Sequence, residues 1–96
     1  MTPLELLQQK CENILRIAAK HGGYNVRVFG SVARGEAGPD SDIDLLIEKG
    51  PATTSWFPVG LVLDLEEILG RRVEVVTEKA LHPDLRAQVL RDAMPL

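Results

Sequence analysis

Two aspartates, Asp42 and Asp44, flank one isoleucine at the mouth of an apolar run, with ten residues between them and the pair Gly30-Ser31. On a strand, residues two apart project from the same face, roughly 6.5–7 Å from each other. The two carboxylates therefore converge, while Ile43 and Leu45 turn to the opposite face. Such a pair repels itself, and beside a strand core it is unfavourable unless a positive charge sits between its members. A divalent cation relieves that repulsion. Magnesium suits the role because it takes a few carboxylate oxygens, several waters and the phosphate oxygens of a substrate.

A third acid, Glu74, stands between Val73 and Val75 in a later apolar run, an odd place for a charge without a partner. If that run pairs with residues 42–48, its side chains lie about 4.8 Å across the sheet. Asp42, Asp44 and Glu74 are thus the candidate metal ligands and catalytic acids. Together they could hold two ions about 3.5–4 Å apart, as in-line phosphoryl or nucleotidyl transfer often uses.

Gly30-Ser31 supplies the complementary half. It follows an apolar run and opens a short helical turn, where free backbone N–H groups and the Ser31 hydroxyl can meet phosphate. Arg34 lies one turn further on, suited to neutralising phosphate charge, and Gly35, Gly38 and Pro39 shape the loop that follows. Gly30, Ser31, Arg34 and Ser41 form the candidate nucleotide-binding set. Taken singly, a Gly-Ser pair is usually a turn and two aspartates at a strand edge are usually solvated. The full spacing arises by chance in roughly one chain of this length per thousand, so the set carries more than its parts.

The elements that must position these residues are readable from periodicity. Thr2 caps and Pro3 opens a helix over residues 3–20, with Leu4, Leu7, Cys11, Ile14, Leu15 and Ala18 at helical spacing. Lys20 and His21 suit the negative end of its dipole, and Gly22-Gly23 ends it. Residues 24–29 and 42–48 read as strands, and RVEVV at 72–76 as a third. Between the second and third, Pro58 opens a helix with Leu61, Val62, Leu65, Ile68 and Leu69 on one face, closed by Gly70. Pro83 opens a last helix, with Leu85, Val89, Leu90 and Met94 directed inward. With the turn at Gly30, the expected order is α-β-α-β-α-β-α. The fold class is α/β (α+β mixed), a small mixed three-stranded sheet flanked by helices, in one domain over residues 1–96.

Several residues have simpler readings. Cys11 falls on an apolar helix face as an inert thiol, and a single cysteine excludes an internal disulfide or a cysteine-based zinc site. Trp56 and Phe57 read as a hydrophobic staple over the start of the helix at Pro58. Asp64, Glu66 and Glu67 read as a solvated helix face, and Arg71 and Arg72 as side chains lying over a helix–strand junction. A net charge of -3 gives no basic field and argues against a nucleic-acid partner. No segment approaches membrane-spanning length, and no basic region precedes an apolar run at the N-terminus, so a cytoplasmic protein with no membrane partner is expected.

The stretch GSVARGEAGPDSDIDLLIE, residues 30–48, resembles the signature of the DNA polymerase beta-like nucleotidyltransferase superfamily, in its minimal nucleotidyltransferase (MNT) branch. Length and element order agree over most of the chain, and LHPDLRAQVLRDAMPL at the C-terminus is similar to that family's closing helix. The resemblance implies the polymerase beta-like fold, phosphate binding at Gly30 and Ser31, magnesium at Asp42 and Asp44, and Glu74 at the third acidic position. That position is more often aspartate in the family. It also implies ATP as substrate, two Mg2+ ions, and a hetero-oligomeric partner. MNT proteins are commonly encoded beside a HEPN-domain protein, often an RNase toxin, and some transfer AMP to a tyrosine of it as its antitoxin.

The expected activity is therefore magnesium-dependent AMP transfer to such a partner. Two other functions fit the same residues. One is an antitoxin acting by contact alone, and the other is a catalytic subunit that modifies a small molecule or a nucleic acid.

Overall fold

Thr2 begins the first helix with a reciprocal cap: its hydroxyl accepts from the Glu5 N–H at 3.1 Å, and the Glu5 carboxylate accepts from the Thr2 N–H at 3.1 Å. The computed structural model, which describes residues 1–53 and 56–96, divides the expected long helix into α1 (Pro3–Gln9) and α2 (Cys11–Lys20). Lys10 turns the chain between them while its N–H still bonds Leu6 and its carbonyl still accepts from Ile14. Leu7 and Ile14, on either side of the turn, are both fully buried. Leu15, expected on the same face, is 40% exposed, and Cys11 is a half-buried free thiol.

The remaining elements are β1 (Gly23–Phe29), α3 (Gly30–Ala33), β2 (Ile43–Lys49), α4 (Val59–Leu69), β3 (Val73–Val76), a 3-10 turn at Glu78–Ala80, α5 (Pro83–Asp92) and β4 (Met94–Pro95). The sheet has four strands in the order β3-β2-β1-β4, one more than expected. β1 pairs antiparallel with β2 and β4, and β2 pairs parallel with β3. The extra strand is made by residues expected at the end of the last helix. Pro95 disfavours helical backbone at Met94, so α5 stops at Asp92 and the chain pairs with Arg27 and Val28 instead. Met94 is consequently exposed rather than turned inward.

Ile43, Leu45 and Ile47 alternate along β2 and join Val26, Val28, Val73 and Val75 in one core with Leu7, Ile14, Leu61 and Leu65 from α1, α2 and α4. The other face of β2 carries Asp44, Leu46 and Glu48. The α5 helix packs on β1 and α3. It is anchored through its second half, where Val89 is buried and Asp92 bonds Arg34, whereas residues 82–85 and Leu90 stay exposed. Leu85 therefore faces solvent, against expectation.

Two acids on α4 have partners where a solvated face was expected. The Asp64 carboxylate lies 2.7 Å from His21 Nε2 and 4.0 Å from Lys20 Nζ, joining α4 to the end of α2. The His21 bond holds the Asp64 carboxyl below its ordinary value. Glu66 accepts from the Val73 N–H at 3.0 Å and so satisfies the first donor of β3. Gly70, at φ 64°, closes α4 in the left-handed conformation that glycine adopts without strain. Of the proposed staple, Phe57 packs on the core, but Trp56 is 73% exposed and staples nothing. Among the described residues no helix is long and apolar enough to cross a membrane.

Candidate active site

The parallel register of β2 and β3 sets Asp44 directly opposite Glu74, with Ile43 opposite Val73 and Leu45 opposite Val75 on the core side. The odd acid in the third strand thus stands beside the acid of the second, as the alternation demanded. On its other side Asp44 is paired with Phe29, the last residue of β1. The chain then turns at Gly30 into α3, bringing Gly30-Ser31 against the acidic strand. Gly30 has φ +72°, and a Cβ placed there would lie 2.5 Å from Asp44 Oδ2.

Asp42 differs from expectation in one respect. β2 begins at Ile43, so Asp42 is exposed at the end of the preceding loop and not within the strand. Its charge still acts on its neighbour. The half-buried Asp44 carboxyl is pushed up to about 6, first by burial, then by the negative charges of Glu74 and Asp42 and a hydrogen bond with Glu74; Arg34 acts weakly against this. Burial and the two neighbouring acids thus act together to favour the protonated form of Asp44.

Among the described residues, no group of three or more His, Cys, Asp and Glu side chains is arranged to hold a metal ion, so the expected three-ligand set of Asp42, Asp44 and Glu74 is not assembled. The donor set nevertheless fits magnesium. That ion keeps waters and substrate phosphates as ligands, needs only one or two carboxylates, and would offset the charges of Glu74 and Asp42 that add to burial in raising Asp44.

The nucleotide-binding candidates divide. Gly30 and the half-buried Ser31 begin α3 beside Asp44, where the first N–H groups of a helix have no intrahelical partner. Arg34 is already engaged: its Nε donates to Glu36 at 3.0 Å and its Nη1 to Asp92 at 2.7 Å, tying α3 to α5. To meet a phosphate it must exchange one of these carboxylates. The Ser41 hydroxyl accepts from the Gly38 N–H at 2.9 Å, so it closes the loop that leads to Asp42. A cavity of about 540 Å³ lies at the far end of the same β2 face, lined by Tyr24, Glu48, Thr77 and Arg86 among others, away from the acids.

Sequence reasoning missed two residues that hold this site. Glu66 fixes the first residue of β3, and Arg71 donates to the carbonyls of Ser41 and Gly38. Both work through backbone atoms of distant segments. A charge facing a helix–strand junction was the only signal available.

Residues 10–96 match the family model described as a nucleotidyltransferase domain. A candidate protein adenylyltransferase of Methanocaldococcus jannaschii is 41% identical over 81 residues, covering 84% of this chain and 87% of that protein. The protein adenylyltransferase MntA of Thermococcus cleftensis is 32% identical over 94 residues, covering 93% of this chain and 95% of that protein. Among solved structures, a candidate minimal nucleotidyltransferase superposes with a TM-score of 0.86 at 51% identity, over 100% of this chain and 97% of its own. A toxin–antitoxin complex with AMP-PNP has the same fold, with a TM-score of 0.73 at 20% identity, over 88% of this chain and 69% of its own.

Proposed function

The chain belongs to the nucleotidyltransferase-domain family, and from that premise we propose that it transfers AMP from ATP, with magnesium, to a tyrosine of a toxin-type partner, and so acts as its antitoxin. The observation that carries this reading is the acidic set at the β2–β3 boundary: Asp44 opposite Glu74, raised first by burial and then by both neighbouring acids, and abutting Gly30 at the start of α3. Relatives across nearly the whole chain are named protein adenylyltransferases, which supports a protein acceptor over a small molecule. The partner this reading implies is a HEPN-domain protein encoded nearby, joined to this chain as a hetero-oligomer.

In the reaction, the acceptor hydroxyl oxygen attacks the α-phosphorus of ATP. The bond from that phosphorus to the bridging oxygen breaks, and pyrophosphate leaves with the electron pair. Bound magnesium supplies charge neutralisation for the phosphates and lowers the pKa of the attacking hydroxyl. Asp42 and Asp44 would be the residues that hold it. Glu74, exposed at the strand surface, takes the acceptor proton. The N–H groups at Gly30 and Ser31 orient phosphate oxygens, and the absence of a Cβ at residue 30 leaves room for the Asp44 carboxylate beside them.

The reaction is tested by incubating this protein and its co-expressed partner with ATP labelled on either the α- or the γ-phosphate. Label entering the partner from the α-position alone is the expected result. Label from the γ-position would make the activity a kinase. A partner neutralised with no label from either would make the protein a contact antitoxin.

A further inference from the structure

Asp42 lies outside the strand, yet both of its neighbours are held by the two consecutive residues just ahead of β3. On the C-terminal side, the Ile43 N–H donates to the Arg72 carbonyl at 2.9 Å. On the N-terminal side, Arg71 Nη2 donates to the Ser41 carbonyl at 2.8 Å and to the Gly38 carbonyl at 3.4 Å. Within the loop, Ser41 N–H bonds the Gly38 carbonyl at 3.2 Å and Gly38 N–H bonds the Ser41 hydroxyl at 2.9 Å. One guanidinium nitrogen thus clasps both ends of a closed turn, and that turn delivers Asp42. Arg71 is half-buried, and its Nε is buried without a hydrogen-bond partner among the described residues. The side chain is therefore committed to this junction, although its inner nitrogen finds nothing to bond there.

We propose that Arg71 is a positioning residue for the metal site: by clasping the Gly38–Ser41 turn it holds the otherwise exposed Asp42 carboxylate where it can share an ion with Asp44. This rests on the reading of Asp42 as a magnesium ligand. The cost of losing the clasp falls on Asp42 and not on the Asp44–Glu74 register, because the Ile43–Arg72 bond is made by backbone atoms that a change of side chain leaves in place. Charge alone is not the point. An Arg at this position presents several donors in a fixed plane, and the carbonyls it meets belong to residues three apart in one turn.

The test titrates Mn2+ complexed with a non-hydrolysable ATP analogue into the purified protein by calorimetry, with melting curves for each variant. Arg71→Met keeps the apolar stem and removes the donors; Arg71→Lys restores a cationic donor. The expected result is about tenfold weaker binding for Arg71→Met, within the range that loss of an outer-shell partner costs a metal. Arg71→Lys should regain part of that loss, with melting temperatures near wild type. Asp42→Asn, measured alongside, should weaken binding at least as much. Wild-type affinity in Arg71→Met, with Asp42→Asn weakened, would overturn the positioning role and leave the metal reading standing. Wild-type affinity in Asp42→Asn would remove the metal reading itself, and the role of Arg71 with it. Equal losses in Met and Lys accompanied by low melting temperatures would make Arg71 structural only. Should Arg71→Met not fold, Arg71→Gln is read by the same criteria.

Discussion

Gly30 lies directly against Asp44: the carboxylate Oδ2 fills the space that any Cβ at residue 30 would need, at a separation of 2.5 Å. The relationship joins the turn that opens α3 to the acidic strand β2 through a single absent atom. It also explains why a glycine with φ +72° follows β1, where the next turn of backbone must pass beside a charged side chain.

Gly30→Ala separates function from stability. The positive φ costs an L-residue roughly 1–2 kcal/mol, and the new methyl displaces the end of the flexible Asp44 side chain without touching the core. The expected outcome is a folded protein with a modest stability loss in urea unfolding and AMP transfer reduced at least a hundredfold. Near-normal transfer in a folded Gly30→Ala protein would show that Asp44 need not stand where the structure has it.

The raised Asp44 carboxyl makes a stability prediction with a definite sign. Its ordinary value is 3.8 and its folded value about 6, so between those pH values the folded state binds more protons than the unfolded state. Metal-free stability therefore falls as pH rises from about 4 through 6, and Asp44→Asn removes that loss. In metal-free buffer at pH 7.5–8, roughly two units above the folded value, Asp44→Asn should melt higher than wild type, and the two curves should converge near pH 4. Magnesium with nucleotide should stabilise wild type and leave the variant unchanged. An Asp44→Asn protein that melts lower at pH 8 would contradict the burial and crowding assigned to this group.

The neighbouring of Asp44 and Glu74 is legible in the sequence. The alternation at Asp44, and the misfit of Glu74 between two valines, led to the Asp44–Glu74 pairing that the parallel register displays, whereas Asp42, expected on the same strand, stands just outside it. These are local signals, carried by spacing of two along a strand. The residues that went unread act through tertiary contacts with backbone atoms, which leave no period behind. Glu66 reaches Val73 across the end of α4, and Arg71 reaches Ser41 and Gly38 across the loop. Asp64 and His21 meet from two helices 43 positions apart in the chain. The fourth strand is hidden for a related reason: two residues cannot display an alternation, and the last helix's apolar spacing continues through Met94.

Glu66 offers a test of that hidden support. Glu66→Ala leaves the Val73 N–H at the head of β3 without its acceptor, a loss of about 1–2 kcal/mol in urea unfolding. Glu66→Gln keeps an acceptor oxygen and should recover most of it. If Ala and Gln behave alike and both match wild type, the junction bond contributes nothing to holding β3 in place.

The central claim is that Asp42 and Asp44 serve AMP transfer to a partner protein. Its most direct test is the intact mass of the neighbouring gene's product after co-expression with this protein, wild type against Asp42→Asn/Asp44→Asn. The account predicts a mass step of one or more AMP units with wild type alone, mapped by fragmentation to a tyrosine. No step with wild type, while both forms bind and neutralise the partner equally, would contradict it and make contact the whole of the mechanism.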